Sequence, residues 1–247
     1  MTAPGSQDAF LLRCEQLEVG YRGRGLLPAI DLSIGKGELW AVVGRNGSGK
    51  TSWIRTLLGL LPPVAGRVRG AERELRLSYL PQRQLLDDLY PLLVRDVVAM
   101  GLDRKHSFWW PRSASTLDAV EQALSLVDGR ELARLPFRQL SEGQKQRVLF
   151  ARLAAAEPDI AVLDEPTSAM DSIAEREAYE LLRRLQTQRG LTLIVVSHFL
   201  GLLGSYANRA LWLDRDEPAV VAGTPQEVLG NAAFRRRYTE SMIPASA

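Results

Sequence analysis

The stretch ELWAVVGRNGSGKT, Glu38–Thr51, runs from a short apolar segment straight into a glycine-rich turn closed by lysine and threonine. Glu38–Gly44 reads as a strand, and an apolar-periodic segment from Ser52 to Leu61 reads as a helix stopped by Pro62-Pro63. Between them, Gly44–Thr51 fits G-x-x-x-x-G-K-[ST], in the strand-to-helix context that a phosphate-binding loop requires. On the order of one per cent of chains this long would match by chance from ordinary residue frequencies. In such a loop the backbone of Gly44, Arg45, Asn46, Gly47, Ser48, Gly49, Lys50, Thr51 and Ser52 wraps phosphates, and the helix N-terminus favours their charge. Gly44, Gly47 and Gly49 let the backbone approach, Lys50 reaches the β and γ phosphates, and Thr51 ligates magnesium.

Three further places carry compatible chemistry. Ile160–Pro166 (IAVLDEP) puts two carboxylates, Asp164 and Glu165, after an apolar strand, the end at which ligands of open α/β sheets gather. Beside a phosphate loop, Asp164 suits the magnesium shell and Glu165 suits a general base for water. His198 follows the strand LIVVS and is placed to contact a terminal phosphate or orient Glu165; a purely structural histidine is the alternative. Gln82, after SYLP, is placed to sense magnesium or water.

Composition removes other classes. The 247 residues are 46% hydrophobic and 24% charged, as in a globular protein with a substantial core. A net charge of +2 offers no argument for nucleic acid. One cysteine, Cys14, and two histidines, His106 and His198, rule out a disulfide framework and a cysteine or histidine-rich metal site. A reducing, cytosolic setting fits. The apolar runs Trp40–Val43, Ile160–Leu163 and Leu191–Val196 are strand-sized, far below the roughly 20 residues that span a bilayer. MTAPGSQDAF lacks the basic region and apolar core of a secretion signal, so membrane association is expected only through a partner. Of 31 basic residues four are lysine (Lys36, Lys50, Lys105, Lys145), and a lysine kept in so arginine-rich a chain invites a chemical reason.

The chain is expected to form a single domain. Residues 1–9 read as a flexible tail. Strands are expected at Phe10–Tyr21, Ala29–Ile34, Glu38–Gly44 (joined to the last by the turn Gly35-Lys36-Gly37) and Leu75–Pro81. From Gln84 to about Ala156 strand patterns give way to Leu/Ala/Arg helices near Val94–Met100, Thr116–Val127 and Ser141–Glu157, a helical insertion in an α/β core. Then follow strand Ile160–Leu163, helix Ser172–Arg189, strand Leu191–Ser197, late strands Arg209–Asp214 and Pro218–Ala222, and a helical end. The alternation implies a mostly parallel sheet covered on both faces.

LSEGQKQR, Leu140–Arg147, opens the last inserted helix with serine at the N-cap, Glu142, and a glycine, Gly143, in the first turn. Glycine costs roughly 1 kcal/mol there against alanine, which makes sense if something must approach the backbone closely.

Taken together, the pieces over about Leu11–Leu229 resemble the nucleotide-binding subunit of an ATP-binding cassette (ABC) transporter: Gly44–Thr51, the glutamine loop at Gln82, the signature LSEGQ (Leu140–Gln144), Asp164 and Glu165, SAMD (Ser168–Asp171) and the switch histidine His198. The resemblance implies a P-loop NTPase (RecA-like) core with an N-terminal antiparallel β subdomain and an inserted α-helical subdomain. It implies ATP and Mg2+ as cofactors, with Thr51, Gln82 and Asp164 near the metal and Lys50, Gln82, Glu165 and His198 in catalysis. Tyr21 matches the aromatic that stacks on adenine; a strand-end core tyrosine is the alternative. Two cassettes, of one kind or two, would pack head to tail, so that Ser141, Glu142, Gly143 and Gln144 of one face the ATP on Lys50 of the other. Asp171 would couple the two sites.

The family signature usually carries glycine where Glu142 stands, so its carboxylate is expected to point away from the phosphate; Phe199 and Met170 are the other departures. The short gap from Thr51 to Ser141 argues against chromosome-organising and DNA-repair relatives, the single cassette against the tandem translation-factor type, and the lack of an extra C-terminal domain against the sugar-importer type. The short insertion, the Gln82 loop and the near-neutral charge favour a transport motor. Pro91–Gly101, Phe108–Leu124 and Val220–Leu229 look like the ATPases of metal-ion, iron-chelate, haem and cobalamin importers. That implies an integral membrane permease and a substrate-binding protein as partners, and a place on the cytoplasmic face of the membrane. A soluble cassette ATPase working on a nucleic-acid or protein assembly, or an exporter subunit, is the alternative. Trp109-Trp110 is either a permease contact or local packing. Arg235-Arg236-Arg237 reads as a solvated helix face, with lipid headgroups as the alternative.

Overall fold

A computed structural model describes residues 10–71, 73–82, 92–102, 113–168, 170–198 and 200–238. The tail at 1–9, Trp109-Trp110, Phe199 and Ala169 of SAMD lie outside the described residues.

Six strands form the central sheet: β5 (Leu39–Val43), β7 (Leu77–Leu80), β8 (Ile160–Asp164), β9 (Thr192–Ser197), β10 (Arg209–Asp214) and β11 (Ala219–Gly223), in the order β11-β10-β5-β9-β8-β7. All neighbours are parallel except the edge hairpin β10–β11. The inner strands are apolar at consecutive positions because both faces are covered. Leu39, Ala41, Val43, Ala161, Leu163, Leu193 and Val195 pack into one core. The alternate residues Trp40, Val42, Ile160, Val162, Ile194 and Val196 pack into the other.

Helices cover the first face: α2 (Val94–Ala99), α3 (Ala114–Leu126) and α4 (Glu142–Ala156) from the insertion, then α5 (Ser172–Arg189), α6 (Gly201–Tyr206), α7 (Pro225–Gly230) and α8 (Ala232–Arg237). The second face carries α1 (Lys50–Leu57) and an antiparallel sheet of β1 (Phe10–Glu18), β4 (Ile30–Gly35) and β6 (Ala65–Gly70), in the order β4-β1-β6. A short ribbon, β2 (Gly20–Tyr21) with β3 (Arg24–Gly25), follows β1.

Several features go beyond the sequence reading or correct it. The turn at Gly35–Gly37 joins two strands as expected, but they do not pair with each other: β4 pairs with β1, while β5 pairs with β9 and β10. The turn passes the chain from one sheet to the other. The helix expected over Ser52–Leu61 starts earlier, at Lys50, and stops at Leu57. Gly59, at φ 72°, ends it before the prolines do, with Leu60 N–H bonding back to Arg55 O at 2.8 Å. Strand β6, AGRVRG, was not anticipated because only one large apolar side chain, Val68, breaks its polarity, and it sits at an edge. The arginine run at 235–237 is a solvated face only in part: Arg235 and Arg236 are exposed, while Arg237 is turned onto the protein. Arg237 Nε donates to the buried Asp214 carboxylate at 2.8 Å, its guanidinium also meets Asp216, and Arg235 Nε donates to Leu229 O at 3.0 Å. Beside them Trp212, Phe234 and Tyr238 stack, with Trp212–Phe234 edge-on at 5.4 Å and Phe234–Tyr238 at 4.5 Å.

Candidate active site

Parallel strands in register end together. Val43 lies opposite Ser197, Asp164 opposite Val196, and Leu80 opposite Leu163. The residues that follow, Gly44, His198, Glu165 and Gln82, are therefore delivered to one edge of the sheet from four different strands.

The loop between β5 and α1 needs its glycines for two different reasons. A Cβ on Gly44 would stand 2.4 Å from both Leu213 O and Ser48 Oγ, so only glycine fits. Gly47 and Gly49 take φ values of 79° and 102°, torsions that glycine adopts without a Cβ clash. Helix α1 begins at Lys50 with no side-chain cap and no acidic residue in its first turn. Its free N–H groups and dipole therefore face the loop. Ser48 Oγ is buried without a hydrogen-bond partner. Lys50 is buried, its Nζ donating to Gly44 O at 2.5 Å and Arg45 O at 3.1 Å. Burial pulls its pKa down, against the opposing pull of Glu165 and Asp164. Orphaned donors, an uncapped helix start and one ammonium fit a phosphate chain.

The carboxylates face this loop. Burial pushes Asp164 above the usual carboxylate range; the Tyr79 phenol, donating to its Oδ2 at 3.2 Å, opposes that, and Glu165's charge adds to it. Thr51 is exposed at the first turn of α1. Among the described residues there is no cluster of three His, Cys, Asp or Glu side chains for a metal. A hard cation here fits one hydroxyl, one carboxylate and phosphate oxygens, the small ligand set that magnesium accepts.

Glu165 is held at φ 49°, an uncommon torsion for a residue with a side chain. Both of its oxygens are engaged: Oε1 lies 2.6 Å from His198 Nε2, and Oε2 accepts from Gln82 Nε2. The structure thus brings Gln82, Glu165 and His198 together, beside Asp164 and Lys50. Tyr21 is 46% exposed, so it is not a core residue, and its hydroxyl accepts from Ser52 Oγ at 3.1 Å, which leaves an open ring close to the phosphate loop.

The signature meets that cluster only through Glu142, which lines a small pocket together with Gln82 and Glu165; Ser141, Gly143 and Gln144 do not line it. Ser141 Oγ accepts from Gln144 N–H at 3.3 Å, and Gln144 Oε1 accepts from Ser141 N–H at 3.0 Å, a reciprocal cap on α4. Glu142 turns along the helix to Lys145 Nζ at 2.8 Å. A Cβ on Gly143 would meet nothing within 4 Å, so no neighbour within the chain calls for glycine there. Ser141, Gly143, Gln144 and Asp171 line a cleft of about 590 Å³ between α4 and α5 that no phosphate-loop residue lines. Asp171 itself caps α5, accepting from Ile173 and Ala174 N–H at 3.0 and 2.9 Å.

Two groups were missed from the sequence. Tyr79 reads in the sequence only as part of a strand; its place beside Asp164 comes from its register opposite Val162, two residues before Asp164, which no motif announces. Tyr179, buried on α5, meets Thr167 Oγ1 at 3.1 Å and hydrogen-bonds Ser197. It joins the segments that follow Glu165 and precede His198, and no motif spacing announces it.

Fold and site together define a phosphate-loop ATPase with an inserted helical subdomain. Residues 27–168 match the ABC transporter family, and the chain belongs to that family, as an ATP-binding, ATP-hydrolysing transport subunit. It is 34% identical to the zinc import ATP-binding protein ZnuC of Pseudomonas putida over 226 residues, covering 91% of this chain and 82% of that one. It is 32% identical to the protein of the same name from Pseudomonas aeruginosa PAO1 over 229 residues, covering 92% and 79%. Among solved structures it superposes on an inward-facing putative metal-chelate type ABC transporter with a TM-score of 0.79 at 27% identity, over 89% of this chain and 85% of that one. It also superposes on cbiO1 of Clostridium perfringens, part of the complex cbiONQ, with a TM-score of 0.79 at 25% identity, over 93% and 94%.

Proposed function

We propose that this subunit powers import of a metal ion or metal chelate through a membrane permease served by a substrate-binding protein. Similarity to zinc import ATP-binding proteins along nine-tenths of the chain supports the cargo class. The observation that carries the chemistry is the engagement of both Glu165 oxygens by His198 and Gln82 at the mouth of the phosphate loop.

The residue roles follow from that arrangement. Loop N–H groups from Gly44 to Ser52 and the Lys50 ammonium bind the phosphates of ATP, and Tyr21 offers its exposed ring to adenine. Thr51 and Asp164 would hold Mg2+, with Gln82 as a further contact, and the ion would neutralise charge on the phosphates. Glu165 accepts a proton from water as that water's oxygen attacks the γ phosphorus and the bond to the β-phosphate oxygen breaks. ADP and inorganic phosphate leave, and His198 fixes the orientation of Glu165.

Ser141, Glu142, Gly143 and Gln144 complete the site of a second cassette, taken here to be another copy of this chain, with Asp171 between the two sites. The open space at Gly143 supports this, as does Ile173, 72% exposed beside Asp171. Among the described residues no helix is long and apolar enough to cross a membrane. The proposed location is the cytoplasmic face, through the permease, and no nucleic-acid partner is invoked.

The test is a tagged pull-down from mild-detergent membranes, followed by metal uptake in cells lacking the chain. Recovery of a multi-spanning permease and a defect in uptake of one metal or chelate supports the reading. Recovery of soluble partners only, or outward transport, overturns it.

A further inference from the structure

Edge strand β7 and the turn that follows it deliver one hydrogen bond to each of the two neighbouring acids at the end of β8. Gln82 reaches Glu165, and Tyr79 reaches Asp164. The second contact follows from strand register. Tyr79 lies opposite Val162, and side chains two apart on a strand share a face, so Tyr79 and Asp164 are diagonal neighbours. The Tyr79 ring packs on the core between the sheets, which fixes where its hydroxyl stands. That hydroxyl donates to Asp164 Oδ2 at 3.2 Å. The two parts of Tyr79 are placed differently: the ring packs, while the hydroxyl is hydrogen-bonded to a half-buried carboxylate.

We infer that Tyr79 is a positioning residue for the metal: its hydroxyl occupies Oδ2 of Asp164 and so presents Oδ1 to the Mg2+ of the bound nucleotide. Partners behind a metal's ligand fix the ligand's orientation and typically govern metal affinity by tenfold or more. The inference rests on the proposed role of Asp164. It adds a residue outside the recognised motifs, and it makes β7 and the turn after it the support behind both the metal's carboxylate and the base.

The test uses the full chain with ADP, which avoids turnover. Mn2+ binding to the ADP complex is titrated by electron paramagnetic resonance, and ADP affinity is measured separately in EDTA. Tyr79→Phe keeps the ring and removes the hydroxyl. The expected result is Mn2+ affinity in the ADP complex about tenfold weaker, with ADP affinity in EDTA equal to that of the unaltered chain. Equal Mn2+ affinity overturns the inference. An ADP affinity in EDTA that falls by the same factor also overturns it, because the substitution then acts through the fold. Asp164→Asn separates the two layers. If it leaves Mn2+ affinity unchanged, Asp164 does not serve the metal and both readings fall. If it weakens Mn2+ binding while Tyr79→Phe does not, only the role of Tyr79 falls.

Discussion

His198 Nε2 lies 2.6 Å from Glu165 Oε1, although 32 residues of helix and strand separate them in the chain. The contact exists because β8 and β9 are adjacent and parallel, so their carboxyl ends coincide. With Gln82 on the other oxygen, Glu165 has no free rotation. If Glu165 is the base, as proposed, it is aimed before its substrate arrives, which is where positioned proton acceptors gain their rate.

Glu165→Gln is therefore expected to lower phosphate release by the assembled complex about 10²- to 10⁴-fold while ATP binding persists. His198→Ala should also slow release, and the double variant should be little worse than Glu165→Gln alone, because the two act as one unit. Turnover by Glu165→Gln equal to that of the unaltered complex would remove Glu165 from the chemistry.

Gly44→Ala tests the packing of the loop. The new methyl would meet Leu213 O and Ser48 Oγ at 2.4 Å, and backbone cannot yield as a flexible side chain can. The expected loss is about 1–3 kcal/mol in urea unfolding, with nucleotide affinity falling as well. Gly47→Ala has no neighbour within 4 Å and carries only the penalty of φ 79°, about 1–2 kcal/mol. Equal, negligible effects at both positions would contradict this account.

Ser141 has two roles that one pair of variants can separate. Ser141→Ala removes the cap on α4 and is expected to cost about 1 kcal/mol. Ser141→Asp keeps a capping oxygen and suits the helix dipole, but adds a negative charge where the proposed second cassette brings its phosphate. Its fold should be as stable as the unaltered chain, yet the complex should lose most of its ATPase activity. Full activity in Ser141→Asp would count against the head-to-tail arrangement.

How much of this was legible in the sequence depends on the kind of signal. The inner strands were plain because burial on both faces makes them apolar at every position, and Gly44–Thr51 was plain because local chain geometry dictates its residues. Strand β6 was hidden: an edge strand with solvated side chains, such as Arg67 and Arg69, has no apolar period. The assignment of β4 and β5 to different sheets was hidden as well, since Gly35–Gly37 serves a hairpin and a crossover equally well. Tyr79 and Tyr179 act through register and long-range contact, which spacing in a single sequence does not encode. Arg237 was misread because three consecutive arginines look alike until the helix turns one of them onto Asp214.

Asp159 gives a pH-dependent test of the fold away from the site. The Arg73 guanidinium donates to it at 2.7 and 2.9 Å, and this contact above all holds its carboxyl at about 2, below the ordinary 3.8. A depressed folded-state value means the stabilisation is complete above the unfolded value and is lost as pH falls through the folded one. Asp159→Asn should thus be less stable than the unaltered chain at pH 6. The gap should shrink between about pH 4 and pH 2 in thermal unfolding. A gap independent of pH would assign the effect to packing.

Arg237 separates the arginines by their surroundings. Its side chain is 18% exposed, and the Asp214 carboxylate it meets is 4% exposed. Removing the guanidinium leaves a buried carboxylate whose remaining partners are the N–H groups of Asp216 and Glu217. Arg237→Met should destabilise the fold, because it leaves the buried Asp214 carboxylate without its cation, and should loosen the packing of α8 on Trp212. Arg236→Met, at an exposed position, should change stability by no more than about 0.5 kcal/mol. If anionic vesicles bound the chain and Arg236→Met or Arg237→Met weakened that binding to the same degree, the run would be a lipid contact after all. If only Arg237→Met matters, and it matters to stability alone, the run is a structural clasp between α8 and the β10–β11 hairpin.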